Sequence, residues 1–388
     1  MMKHIPYAKH DVDEKDILSV IEVLNSNYLT QGPKVELFED KFSNYSGAKY
    51  SVAVTNGTAA LHLACISLGI TKGSKVWVSS VSFSASSNCA EYLGAQVTFL
   101  EIDKDTWNVD LDLLEKKLSL TKKNHLPDLV IVVHLCGSFV DMKKLNSLSK
   151  DYGFKVIEDA CHSIGGEYFT DNPGRSRYSD LSTFSFHAAK NITTGEGGLI
   201  TCNDQNIYKN IKLLRSHGIT KEREEFYDSA LSPIHYEMHE LGYNYRLTDL
   251  QAALGISQLT KVKKFSKIRQ QKVSTYQRNL SSLPISFQKI LKGTISGNHL
   301  MVIRVEPSIR NNLMTHLLER NIGVNLHYIP IYRHPFYIER YGIQNKENFI
   351  NSELYADSAI TLPLFTSLSE EEQEYICYQI QSFYEGNA

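Results

Sequence analysis

Two periodicities alternate over the first 250 residues, and this constrains the chain more than any other feature. Short β-branched runs recur at 51–55 (SVAVT), 75–78 (KVWV), 97–102 (VTFLEI), 129–135 (LVIVVHL), 154–158 (FKVIE) and 197–202 (GGLITC). Helical patterns lie between them, as at 58–68, 142–152 and 205–215. Strands that alternate with helices of this length form βα units around a mostly parallel sheet. The stretch LVIVVHL shows no polar alternation, which suits a central strand covered on both faces.

Beyond residue 250 the pattern changes. A long helical stretch from Thr248 to Leu283 carries the basic run KVKKFSKIRQQK at 261–272. With a formal net charge of −2, that run reads as a solvated helix face rather than a nucleic-acid patch. A strand-like run at 299–306, a helix at 310–320 and another strand-like run at 322–328 then outline a smaller α+β unit. The expected organisation is a large domain over 1–250 and a long helix with a small C-terminal domain over 251–388. A chain of 388 residues, 42 % of them hydrophobic, can bury a large core. No signal-peptide pattern and no run of roughly 18 apolar residues is present, so no membrane span is expected and the cytoplasm is the default location. The six cysteines are scattered without metal-like spacing and read as buried free thiols.

Four stretches carry possible chemistry. Lys190 follows a strand-like run and precedes a glycine-rich stretch in FSFHAAKNITTGEGG (184–198). A lysine on a loop is ordinarily a solvated surface residue, but its amine can also add to a carbonyl once burial lowers its pKa. Asp159, in VIEDACHS (156–163), sits where an apolar strand runs out, the edge at which open α/β sheets bind ligands. It could equally cap a helix or a turn. Its neighbour Glu158 faces the other side of the sheet. TNGTAAL (55–61) places Gly57 and Thr58 at a helix start, where unpaired amides favour a phosphate or merely await a cap. Phe83, in SSVSFSASS (79–87), is an aromatic among small polar residues, open to a core or a ligand role. Together these would meet the four demands of pyridoxal phosphate (PLP): an amine for its aldehyde, a carboxylate for its ring nitrogen, a flat group on its ring face and a phosphate cup. A zinc site built on His235 and His239, spaced i, i+4, lacks HEXXH and a third ligand, so a polar helix or loop is expected and no metal.

The series TNGTAAL, SVSFSASS, EDACHSIGGEY, FSFHAAKNITTGEGG, LRSHG and GYNYRLTDLQAA closely resembles the DegT/DnrJ/EryC1/StrS family of nucleotide-sugar aminotransferases. The likeness runs from LTQG at 29–32 to HYIP at 327–330. It implies an α/β, fold-type I PLP-dependent transferase architecture of the aspartate aminotransferase kind. It also implies roles. Lys190 matches the Schiff-base lysine, Asp159 the ring-nitrogen carboxylate and His162 the group beside the cofactor's phenolic oxygen. Phe83 matches the stacked aromatic, and Gly57, Thr58 and Ser185 match the phosphate ligands. Asn244 matches an asparagine supplied by a second chain, hence a homodimer with shared active sites. Tyr7, Asn27, Tyr28, Leu29, Thr30, His187, His327, Tyr328, Ile329 and Pro330 match positions that line the sugar-nucleotide pocket.

Within the family, the FSFHxxK form and the opening VLNSNYLTQG are most similar to members of the pseudaminic acid route. Those pass the amino group of L-glutamate to a UDP-linked 4-keto-6-deoxy-N-acetylhexosamine. Legionaminic- and perosamine-type aminotransferases are alternatives. So is a sugar 3-dehydratase, although a histidine replaces the lysine there, and so is a regulatory protein on the same fold.

Overall fold

The structure, a computed structural model, describes residues 3–227 and 234–386. Its centre is a seven-stranded sheet of β1 (Tyr50–Val54), β2 (Lys75–Ser79), β3 (Gln96–Leu100), β4 (Leu129–Val133), β5 (Lys155–Asp159), β7 (Leu181–Ser185) and β8 (Gly198–Cys202), while β6 (Glu167–Tyr168) lies outside it. The strand order is β1-β8-β7-β5-β4-β2-β3, and only β8 runs against its neighbours. The β-branched runs therefore form the mostly parallel sheet that their spacing predicts, and β7 supplies the strand that leads toward Lys190.

Helices cover both faces. α1 (Glu14–Leu24), α2 (Pro33–Ser46), α3 (Gly57–Ser67) and α4 (Ala85–Glu91) precede α5 (Leu111–Leu120), α6 (Met142–Tyr152) and α7 (Gln205–Arg215). On one face Val52, Val54, Val76, Val78 and Ile131 pack with Leu61 and Leu63 of α3 and Cys89 of α4. On the other, Trp77, Val130, Val132 and Val156 meet Leu114 of α5 and Leu145 of α6. This is the two-sided burial expected of Leu129–Val133, every residue of which is buried. Phe38 and Phe42 of α2 meet Phe184 and Phe186 edge to face, with ring centroids 4.9–5.8 Å apart. Such pairs add about 0.5–1.5 kcal/mol each beyond area burial, and here they fix the end of β7 from below.

A second layer follows α8 (Asp249–Leu259) and α9 (Val262–Asn279): a three-stranded antiparallel sheet of β11 (Ser286–Phe287), β13 (Met301–Arg304) and β14 (Ala359–Leu362). It packs on α10 (Pro307–Glu319) and α13 (Glu370–Gly386) through Ile303, Leu313, Leu317, Ile360 and Ile380. Between α10 and α13 lie α11 (Pro335–Tyr341) and α12 (Ile350–Ser358). The two-residue strands β9 (Ile219–Thr220) and β10 (Glu237–Met238) pair with each other, as do β6 and β12 (Thr294–Ile295).

Three expectations change. The pattern from Thr248 to Leu283 is two helices, α8 and α9, with a break at Thr260–Lys261. The run 322–328 is not a strand; it makes only isolated bridges among the described residues, Ile322 to Ile5 and Asn325 to Thr361, and β14 completes the small sheet instead. The basic run is not simply a solvated face. Lys261 contacts both Asp13 and Asp16 at 2.6 Å, and Arg269 is buried. His235 and His239 flank Glu237, which begins β10, and both imidazoles lie within ion-pair range of its carboxylate, at 3.6 and 2.8 Å.

Candidate active site

The parallel strands all end on one side of the sheet. The loops after β1, β2, β4, β5 and β7 line a cavity of about 680 Å³ there. It contains Gly57 and Thr58, then Ser82 and Phe83, Val133, Asp159 with Cys161 and His162, and finally Ser185, His187 and Lys190. Tyr7, His299 and 325–328 close it from the small sheet's side.

At the β1 end, Asn56 caps α3 by accepting the amide of Ala59 at 2.8 Å. That leaves the amides of Gly57 and Thr58 at the start of the helix without its help. A Cβ on Gly57 would lie 2.9 Å from the Cβ of Ser185. Glycine therefore lets the helix N-terminus close against the Ser185 side chain, and together they form an anion-binding cup.

Asp159 is buried at the end of β5. Ser86 donates to its Oδ2 at 2.7 Å and is itself 2.7 Å from the hydroxyl of Ser82. The backbone amide of Cys161 donates to its Oδ1 at 3.2 Å, so the carboxylate also caps the turn that follows. Glu158 points the opposite way, to His134 at 2.9 Å and to Ser182. Phe83 is 58 % exposed, which removes it from the core and places its ring on the cavity wall, 6.0 Å from that of Tyr328.

Lys190 sits on a turn whose amide bonds to the His187 carbonyl at 2.9 Å. The next residue, Asn191, anchors that turn by donating to the carbonyls of Ile164 and Gly297 at 2.7 and 2.6 Å. Burial lowers the pKa of the Lys190 amine, opposed by Cys161 and Asp159. Burial also pushes His162 and His299 well below the usual imidazole range, with the lysine cation adding to the effect. The same two causes bring His327 down to about 4. Three imidazoles whose charged form is disfavoured thus stand around Lys190. His162 Nε2 meets the Tyr328 hydroxyl at 3.2 Å, whereas its Nδ1 is buried without a hydrogen-bond partner. His327 meets Thr361 at 2.9 Å.

The structure brings Tyr7, Gly57, Thr58, Phe83, Asp159, His162, Ser185, His187, Lys190, His327 and Tyr328 to one cavity. It does not bring Asn27, Tyr28, Leu29, Thr30, Asn244, Ile329 or Pro330 there. All of these except the buried Pro330 are exposed on the surface of the single chain. Ser86 and His299 escape the sequence reading. Ser86 is one of several serines in SSVSFSASS, and His299 opens an apolar run as a core histidine would.

The profile of the DegT/DnrJ/EryC1/StrS aminotransferase family matches residues 10–381. The chain is 38 % identical over 359 residues to the UDP-4-amino-4,6-dideoxy-N-acetyl-beta-L-altrosamine transaminase of Campylobacter jejuni, covering 90 % of this chain and 91 % of that one. It is 32 % identical to the GDP-perosamine synthase of Escherichia coli O157:H7, covering 99 % of both. Among solved structures, Helicobacter pylori PseC, an aminotransferase involved in the biosynthesis of pseudoaminic acid, is 28 % identical with a TM-score of 0.89, covering 99 % of this chain and 100 % of that one. The PLP form of the putative sugar aminotransferase Spr1654 of Streptococcus pneumoniae is 27 % identical, also at 0.89, covering 99 % of both chains.

Proposed function

Since the chain belongs to the DegT/DnrJ/EryC1/StrS aminotransferase family, we propose that it moves the amino group of L-glutamate to C4 of a UDP-linked keto-sugar, UDP-2-acetamido-2,6-dideoxy-β-L-arabino-hexos-4-ulose. The coarser activity comes with the family: this is a PLP-dependent sugar aminotransferase on the fold-type I architecture. The particular sugar, on the pseudaminic acid route, is supported by the 38 % identity to the Campylobacter jejuni transaminase.

One observation carries the site assignment: an amine, a carboxylate, an exposed ring and a helix-end cup stand around a single cavity. The residues present fit PLP. The cup formed by Gly57 and Ser185 suits its phosphate, and the orphaned Nδ1 on buried His162 is free to meet a polar group of a ligand. When bound, the cofactor supplies an electron sink for the pair left behind as an amino acid loses its Cα proton.

The chain's own residues do the rest. Lys190 would hold the aldehyde carbon at rest. Its free amine would be the group that takes the proton from the donor's Cα. The depressed pKa of its amine favours the neutral form this needs. Asp159, held by Ser86, would keep the ring nitrogen protonated. Phe83 would cover the ring, His162 would stand by the phenolic oxygen, and Gly57, Thr58 and Ser185 would hold the phosphate. Tyr7, His187, His327 and Tyr328 face the sugar nucleotide.

Among the described residues, Lys190 is the only lysine or arginine lining the cavity, yet the sugar diphosphate and the carboxylates of glutamate are anions. That shortage supports a homodimer in which Asn244, 27–30 and 329–330 complete a neighbour's site. No helix among the described residues is long and apolar enough to cross a membrane, and the cytoplasm is the proposed location.

The test is to incubate purified protein with glutamate and a panel of UDP-, dTDP- and GDP-linked 4-keto sugars and to weigh the products. The expected result is an amino-sugar formed preferentially from the UDP-acetamido substrate. Preference for a GDP-sugar would overturn the substrate and leave the reaction class standing.

A further inference from the structure

His299 is assigned to the cavity by structure alone. It precedes β13, and its side chain reaches back across the small sheet's edge to Lys190. Its Nε2 lies 3.5 Å from the lysine Nζ, the long edge of hydrogen-bond range. Its ring packs at 4.4 Å, centroid to centroid, against that of His162. Its Nδ1 is buried with no partner. A buried imidazole with one nitrogen orphaned loses part of its hydrogen-bonding capacity, a cost that a purely structural histidine would avoid.

The backbone around it is held firmly. The amide of His299 bonds to the Cys136 carbonyl at 2.9 Å. Arg269, buried in α9, donates one nitrogen to the carbonyls of Asn298, His299 and Leu364 at 3.2–3.3 Å. No carboxylate lies within ion-pair distance of Arg269 among the described residues. A buried guanidinium bonded to the carbonyls of Asn298 and His299 fixes the backbone from which that ring projects. Lys190 and Arg269, together with His162 and His327, are the charged and titratable groups that act on His299. All four disfavour a second positive charge there, so the ring stays neutral and available as a hydrogen-bond partner for an amine.

We propose that His299 is a positioning residue that holds the free ε-amine of Lys190 by a hydrogen bond to Nε2 and aims it at the cofactor's reactive carbon. This deepens the role given to Lys190 above and rests on that reading. It does not depend on which sugar is the substrate. The amine must leave the cofactor carbon, stay within reach while it moves a proton, and return. A lysine side chain has many rotamers, and an anchor that shares its proton without being charged itself reduces that search.

The test measures how fast the lysine captures its cofactor. Protein stripped of PLP is mixed with PLP, and the visible absorption of the C=N bond between Lys190 and the aldehyde is followed; amine and aldehyde give one C=N bond and one water. In His299→Leu the capture rate should fall about tenfold, the size of one lost hydrogen bond, and His299→Gln, which keeps a polar partner, should recover most of it. Affinity for pyridoxamine phosphate, which has no aldehyde to capture, should stay within about twofold in both variants, a change of only ~0.4 kcal/mol. Steady-state kinetics with glutamate should show the loss in kcat with KM little changed.

A wild-type capture rate in His299→Leu would overturn the proposal. So would a parallel loss of pyridoxamine phosphate affinity, because that marks a collapsed pocket rather than a misaimed amine. If wild-type protein shows no such absorption, or Lys190→Ala retains it, the assignment of Lys190 fails instead.

Discussion

The hydroxyl of Ser86, in the first turn of α4, lies 2.7 Å from Oδ2 of Asp159, at the end of β5. One helix thereby orients the carboxylate that another strand delivers. A carboxylate so held keeps its charge aimed at one point in the cavity. Asp159→Asn should keep the fold and the cofactor but slow the half-reaction with glutamate by about 10²-fold or more, since an amide cannot hold the ring nitrogen protonated. Ser86→Ala removes one hydrogen bond to a charged group and should cost about tenfold in the same rate. Stopped-flow absorbance on both variants decides it; an unchanged rate in Asp159→Asn would remove that residue from the ring nitrogen.

Lys190→Ala and Lys190→Arg should both abolish turnover, with a loss of about 10³-fold or more for removal of the proton-transfer group. The arginine variant is the sharper probe, because it keeps the charge but has no usable lone pair. Neither should show the visible absorption that wild type gains with PLP. Near-wild-type amination in either would defeat the assignment.

Much of this site is legible in the sequence because its residues sit at punctuation points. Gly57 marks a strand-to-helix turn, Asp159 ends an apolar run, and Lys190 precedes a glycine-rich stretch. Their positions follow from local rules about where parallel strands end. Ser86 and His299 follow from no such rule, since their roles depend on contacts across 73 and 109 residues of chain. The break between α8 and α9 is hidden for a different reason: Thr260 and Lys261 are compatible with helix, and no glycine or proline marks the stop. The run at 322–328 has strand-like composition, but it meets the edge strand β14 at a single residue pair, Asn325 and Thr361, so no ladder forms.

The buried histidines predict an acid limit. His327 titrates at about 4 in the folded chain against roughly 6.5 when unfolded. The unfolded state therefore binds a proton that the folded state refuses. The stability tied to neutral His327 is fully present above pH ~6.5 and is lost progressively as pH falls toward 4. His162 and His299 shift in the same direction. Urea denaturation should show stability falling between pH 7 and 4.5, and His327→Gln should lessen that fall by on the order of 2 kcal/mol. An equal slope in the variant would show that His327 does not contribute.

Asn244 offers a test of shared sites that needs no structure of the dimer. It is exposed in the single chain and outside its own chain's cavity. If it serves a neighbour, Asn244→Ala and Lys190→Ala damage different halves of each site. In a mixed dimer, the site holding the intact Lys190 receives an intact Asn244 from the other chain, and the second site receives neither. Random pairing of equal amounts makes half of the dimers mixed, with one good site in two. Two weakly active variants unfolded and refolded together should then regain about a quarter of wild-type activity. Refolding each alone should regain nothing. Activity no higher than the average of the two separate samples would mean that Asn244 acts within its own chain or not at all, and the case for a site built by two chains would then rest only on the scarcity of cations around Lys190.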